Sequence, residues 1–209
     1  MPSRYFFILL ILSLPLLLVL GYWIHFREGG LSGKEQLSSV VFQDGDLIFR
    51  RGRSAESMAV YLADPVHDFS HIGIVVIDGE KPFVIHAVPG EQPEAVSHVV
   101  KEPVNAFLED AKASHWAVYR SKLSLEKLKK VTLKALDFFD RRTEFDNDYD
   151  LTDDSRLYCT ELVMKAYQAA GLERRLYPEN ELKFVMGTKK ILFPGVFIQS
   201  PDFFRVCSY

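Results

Sequence analysis

The chain has 209 residues, a formal net charge of −3, 48% hydrophobic and 25% charged residues. These are ordinary globular values and exclude a disordered or low-complexity chain. Lys and Arg are scattered among acids instead of forming a stripe with interleaved aromatics, which excludes nucleic acid as a partner.

Residues 5–24 carry no charge and are about as long as a bilayer-spanning helix requires. Arg4 precedes the stretch, while Arg27 just after it is offset by Glu28, so the positive-inside tendency puts the N-terminus in the cytoplasm and the rest outside. Tyr22 and Trp23 sit where amphipathic aromatics favour the interface of a retained anchor. The alternative is a secretion signal, cut after Gly21. Residues 1–30 are therefore read as an anchor or signal, 31–40 as a linker and 41–209 as one domain with a single core.

Within that domain, residues 40–50 read as a turn followed by a strand. Residues 71–77 and 83–88 are β-branched runs separated by Asp78-Gly79-Glu80-Lys81-Pro82, which is hairpin chemistry. Trp116 to Arg120 makes a further strand. Leu125, Leu128, Val131, Ala135, Leu136 and Phe139 recur at helical spacing and predict a helix over 124–140. A second helix is predicted over 156–170, capped by Asp153, Asp154 or Ser155 and ended by Gly171. Residues 191–193 and 195–198 look extended, and Ser200-Pro201-Asp202 resembles the cap of a final helical turn. Strands, helix, loop, helix and strands in that order predict an α+β fold, with a small antiparallel sheet packed against a helix.

Nucleotide-binding glycine loops, H-E-x-x-H, paired C-x-x-C and G-x-S-x-G are all absent. Asp146, Asp148 and Asp150 are spaced like the first ligands of a calcium loop, but Leu151 replaces its glycine and Leu157 its closing acid. His25, His67, His98 and His115 have no partner visible in the sequence. Cys159 falls in the first turn of the second helix, where free N–H groups and the positive dipole end favour a thiolate, the nucleophilic form. Rapid labelling by iodoacetamide near neutral pH is expected there, and slow labelling at Cys207. A cysteine on an apolar stripe is otherwise a core residue, and pairing of Cys159 with Cys207 is the alternative in an oxidising compartment. His71 opens a strand and supplies a base able to activate a thiol.

Residues 68–74 (Asp-Phe-Ser-His-Ile-Gly-Ile), 45–49 (Gly-Asp-Leu-Ile-Phe) and 158–163 (Tyr-Cys-Thr-Glu-Leu-Val), with Phe145-Asp146 and Tyr149-Asp150, resemble the circularly permuted branch of the NlpC-type papain-like cysteine hydrolases. The resemblance spans roughly residues 41–204. It implies an antiparallel sheet against the nucleophile helix, cysteine amidase or peptidase chemistry without metal or organic cofactor, and peptidoglycan peptides as substrate. It also places a residue that orients the histidine on the next strand, where His86 stands and where relatives often show a carboxylate. The expected site is Cys159, His71 and His86. A lipid acyl-ester hydrolase or acyltransferase with the same residues, and an inactive binding module, are the competing expectations. Parity adds a further one: an even-numbered loop between the two strands puts His71 and His86 on the same face.

Overall fold

The structure is a computed structural model that describes residues 33–64, 68–89, 97–153, 155–173, 180–184 and 187–209. The apolar stretch at 5–24 lies outside the described residues, and no helix among the described residues is long and apolar enough to cross a membrane. Two units are delimited, residues 1–40 and 41–209. In the first, α1 (Gly33–Ser38) is a short helix within the stretch read as linker.

The second unit is mixed α and β. Its sheet has six antiparallel strands in the order β10-β5-β1-β2-β3-β4, formed by β1 (Leu47–Gly52), β2 (His71–Asp78), β3 (Lys81–Ala87), β4 (Val99–Pro103), β5 (Ala113–Ser121) and β10 (Phe203–Ser208). α2 (Ala55–Ala63) follows β1, and the short α3 (Val104–Phe107) follows β4. α4 (Leu125–Asp140) and α5 (Cys159–Ala169) pack on each other and on β2. The remaining elements are the parallel pair β6 (Glu144–Phe145) and β7 (Arg156–Leu157), the hairpin β8 (Asn180–Phe184) and β9 (Gly187–Ile191), and α6 (Gly195–Gln199).

Alternation along the strands divides the sheet into two faces. Leu47, Phe49, Ile72, Ile74, Val76 and Ile85 join Val131, Ala135, Phe138, Leu162 and Val163 of the two long helices in the main core. The other face buries Ile48, Val75, Val84 and Val118 and carries the polar residues described below. Between β2 and β3 the turn is Gly79-Glu80, both at positive φ (54° and 71°). That is the two-residue loop whose twist suits adjacent strands, and it fixes Asp78 opposite Lys81 and Ile74 opposite Ile85.

The Gly45-Asp46 block serves the scaffold. Gly45, at φ 81°, accepts the Tyr167 hydroxyl on its carbonyl at 2.6 Å, tying the first turn to α5. Asp46 is buried and accepts two hydrogen bonds from Arg120 at 2.8 Å and one from the Gln43 N–H at 2.9 Å.

Several elements differ from expectation. α5 begins at Cys159, because Arg156 and Leu157 pair with β6, and Tyr158 occupies the N-cap position without a side-chain cap. Leu125 is exposed, so the stripe of α4 is Leu128, Val131, Ala135 and Phe138. Residues 195–199 form α6 and not a strand: a run of four apolar residues reads the same either way, and Pro194 favours a helix start. Ser200 to Asp202 leads into the edge strand β10 and not a helical turn.

Candidate active site

Four neighbouring strands each place one polar side chain on the same face. Arg50 of β1 pairs in register with His71 of β2, while His86 of β3 lies opposite Val100 of β4. Continuing the β2–β3 register puts His86 across from Gly73, diagonal to His71. Gly73 is required there, since a Cβ would stand 2.4 Å from Val84 and 3.1 Å from the His86 Cβ. The space it leaves brings the rings together at 5.0 Å between centroids, with His71 Nε2 and His86 Nδ1 at 2.8 Å. The expected same-face placement of the two histidines is thus observed, through a turn at Gly79-Glu80.

The row continues onto β4. His86 Nε2 lies 2.9 Å from Glu102 Oε1, and Lys112 donates to Glu102 Oε2 at 3.2 Å. Phe107 of α3 closes over the row, 5.7 Å from the His71 ring and 4.9 Å from the His86 ring. Arg50 donates to the Phe107 carbonyl at 2.8 Å.

Charge fixes the protons along the row. Burial works against the charged form of Glu102, but the hydrogen bond from His86 and the Lys112 ammonium prevail and hold its carboxyl at about 2. Burial, the Arg50 cation and His86 press His71 well below the ordinary imidazole value. Burial also lowers His86, with Glu102 opposing. Both rings are therefore neutral at pH 7. An ionised Glu102 accepts, so His86 carries its proton on Nε2 and accepts at Nδ1 from His71 Nε2–H. The lone pair of His71 is then on Nδ1.

Cys159 is the first residue of α5, half-buried, and lines one cavity together with His71. The backbone of Ile72, Thr160 and Cys159 itself is near enough to the sulfur to favour its charged form, which sets the thiol beside the peptide that follows His71. Burial outweighs this effect and pushes the thiol up to about 11. The resting pair is neutral thiol and neutral imidazole, which corrects the expected thiolate: the helix start stabilises negative charge, but the apolar surroundings cost more. Cys207 is also raised, chiefly by burial, and both cysteines are free. Alkylation of Cys159 by iodoacetamide should therefore be slow at neutral pH and rise about tenfold per pH unit toward 11. A rate flat between pH 6 and 9 would indicate a resting ion pair instead. Since protonation of His71 requires pH well below 6.5, the acid limb of activity should lie below that value.

Asp146 is buried and accepts the N–H groups of Asp148 at 2.8 Å and Asp150 at 2.5 Å, so it shapes the acidic loop. Among the described residues, no group of three His, Cys, Asp or Glu is placed to hold a metal ion. His98 makes a backbone bridge to Glu144, and His115 lies on β5 away from the row. His25 and His67 lie outside the described residues.

Residues 41–205 match the family described as permuted papain-like amidase enzyme, YaeF/YiiX, C92 family. The chain belongs to this family. Within the permuted papain-like amidases, a curated relative is the uncharacterized protein YiiX of Escherichia coli (strain K12), 33% identical over 143 residues. That match covers 68% of this chain and 64% of the relative, so the chain spans somewhat less than two thirds of its length. A crystal structure described as the metalloprotein yiiX from Escherichia coli O157:H7 superposes with a TM-score of 0.66 at 26% identity, over 80% of this chain and 97% of that one. The family's description is that of a papain-like amidase.

Glu102 and Arg50 are the site residues that sequence reasoning missed. Glu102 shares the face of His86 because β3 and β4 pair even-numbered residues with even, a register that can be read only once β4 is known.

Proposed function

We propose that this permuted papain-like amidase cleaves an amide through Cys159 as nucleophile and His71 as base, with His86 and Glu102 as positioning residues. The observation that carries the proposal is the hydrogen-bonded row Glu102–His86–His71 ending at the cavity that Cys159 lines. His71 Nδ1 takes the thiol proton as the sulfur attacks the carbonyl carbon. A C–S bond forms and the carbonyl electrons move to oxygen, near the N–H groups at the start of α5. Collapse breaks the C–N bond, and the His71 proton goes to the departing amine. Water then attacks the thioester with His71 again as base, releasing the acid and restoring the thiol. Each imidazolium formed transiently is stabilised through His86 by the Glu102 carboxylate.

The crystallised relative is called a metalloprotein. The donors here do not suit a metal: His71 Nε2 and His86 Nδ1 face each other across a shared proton, and the outer His86 nitrogen faces Glu102.

The proposal places the domain outside the cytoplasm, held at a membrane by residues 5–24 or released after their cleavage, where cell-wall peptides are available substrates. The test is incubation of the full chain with muropeptides and with simple N-acyl amides, followed by mass spectrometry of the products. Loss of one amide bond in either set, dependent on Cys159, is the expected result. No hydrolysis in both sets would overturn the amidase.

A further inference from the structure

A second cavity, of about 660 Å³, adjoins the histidine row and is lined by His86 and Glu102 but not by Cys159. That volume is within the range of pockets that take small molecules, roughly 300–1,000 Å³. Arg50, Ser54, Ser57, Val88 and Pro89 line this cavity and that of Cys159 alike, so the two are neighbours across one wall. In the proposed reaction His71 hands its proton to the departing amine. The amine therefore leaves on the histidine side of the sulfur, which is the side of the second cavity.

The charge of this cavity is one-sided. Among its described lining residues Arg50, Arg53 and Lys112 are cationic, and Glu102 is the one carboxylate. Both oxygens of Glu102 are engaged, one 2.9 Å from His86 and the other accepting from Lys112 at 3.2 Å. Arg53 donates from Nε to the Asp110 carbonyl at 2.8 Å, and among the described residues no carboxylate pairs with its guanidinium. A guanidinium held at Nε keeps its terminal N–H groups for a planar acceptor such as a carboxylate. The shared wall adds a hydroxyl donor. Ser57 N–H donates to Ser54 Oγ at 3.2 Å, and that hydroxyl donates to Ser57 Oγ at 3.4 Å, which leaves the Ser57 proton for a ligand.

We propose that this cavity receives the amine side of the substrate and selects a leaving group that carries a carboxylate, an inference that rests on Cys159 and His71 acting as described above. A carboxylate there gains charge-assisted hydrogen bonds from Arg53 and Ser57, whereas an ammonium meets three like charges. The substrate class is then an amide whose nitrogen belongs to an amino acid with a free carboxylate, and Arg53 is the residue that recognises it.

The test alkylates the full chain at about pH 9 with iodoacetyl-glycine and iodoacetyl-γ-aminobutyrate, each against its carboxamide. In these reagents the sulfur displaces iodide beside the carbonyl, and the amide nitrogen carries the group that stands for the amine side. Modification of Cys159 is read by mass spectrometry, with a neutral cysteine peptide in the same tube as reference. Relative to that peptide, each favoured carboxylate should label Cys159 about tenfold or more faster than its carboxamide, and added salt should shrink the difference. Preference for the glycine reagent assigns the carboxylate to a C-terminal amino acid, and preference for the longer reagent to an acidic side chain. Arg53→Gln should remove most of the preference and Arg53→Glu should reverse it. Equal labelling by carboxylates and carboxamides in the unaltered protein would overturn the proposal, whatever its turnover. In parallel, the acetyl amides of the same four amines are assayed for hydrolysis. Carboxylate preference in both series supports subsite and enzyme together. The preference in alkylation with no hydrolysis of any amide supports the subsite and speaks against the amidase.

Discussion

Cys159→Ser is expected to lower kcat/KM by at least about 10⁴-fold while leaving the melting temperature nearly unchanged. The serine hydroxyl fills nearly the same space at the head of α5, so packing is retained. Its proton is far harder to remove than that of a thiol, and the neutral His71 base is matched to the easier task. Loss of an activated nucleophile typically removes about as much catalysis as loss of the whole catalytic group, on the order of 10⁶ in kcat in one well-studied hydrolase. Assay of the purified variant with any substrate cleaved by the parent, beside a thermal melt, checks both halves. Retention of most turnover would return Cys159 to the role of a core residue.

The second large effect concerns the row behind His71. His71→Ala removes the base and should cost about 10²–10⁴ in kcat. His86→Ala leaves the base in place but unoriented, with a smaller loss, and His86→Gln should recover part of it because an amide can accept from His71 Nε2–H. Glu102→Gln is the sharper case. An amide N–H can donate to His86 Nε2, which moves the His86 proton to Nδ1 and turns the bond to His71 around. His71 then carries its proton on Nδ1, the nitrogen needed as base. A wrong-tautomer loss of this kind reaches about 10⁴ in a serine protease where the acid was replaced by its amide. Glu102→Asp keeps an acceptor and should retain more activity than Glu102→Gln. Equal activity in the two, with an unchanged acid limb, would make Glu102 a structural partner of Lys112 only.

The β2–β3 hairpin was legible from residues alone, because its β-branched runs and the Gly79 turn leave few alternatives. His86 came from the family resemblance, and strand parity put it on the face of His71 for an even-numbered loop. β4 was missed, since Val99–Pro103 carries two charges and ends in proline, and with it went Glu102. α2 has no sharp apolar stripe, so the wall it lends to the cavity could not be anticipated. The protonation of Cys159 was misjudged for a different reason: the helix start is visible in sequence, but the burial that opposes it is set by distant segments such as residues 191–193. Contacts of that kind join residues about 30 positions apart, as the Thr160–Leu192 bond does, and periodicity carries no information about them.

The most direct measurement of the central claim is the mass of the protein during turnover. Rapid mixing of the full chain with a 4-nitrophenyl ester of a short aliphatic acid, acid quench and peptide mapping should find one acyl group per chain, on the peptide containing Cys159, appearing with a burst of nitrophenol and decaying as water attacks. The adduct should be absent in Cys159→Ser and slow to form in His71→Ala. Steady hydrolysis with no acyl group on Cys159, or an adduct on another side chain, would contradict the assignment of Cys159 as the nucleophile.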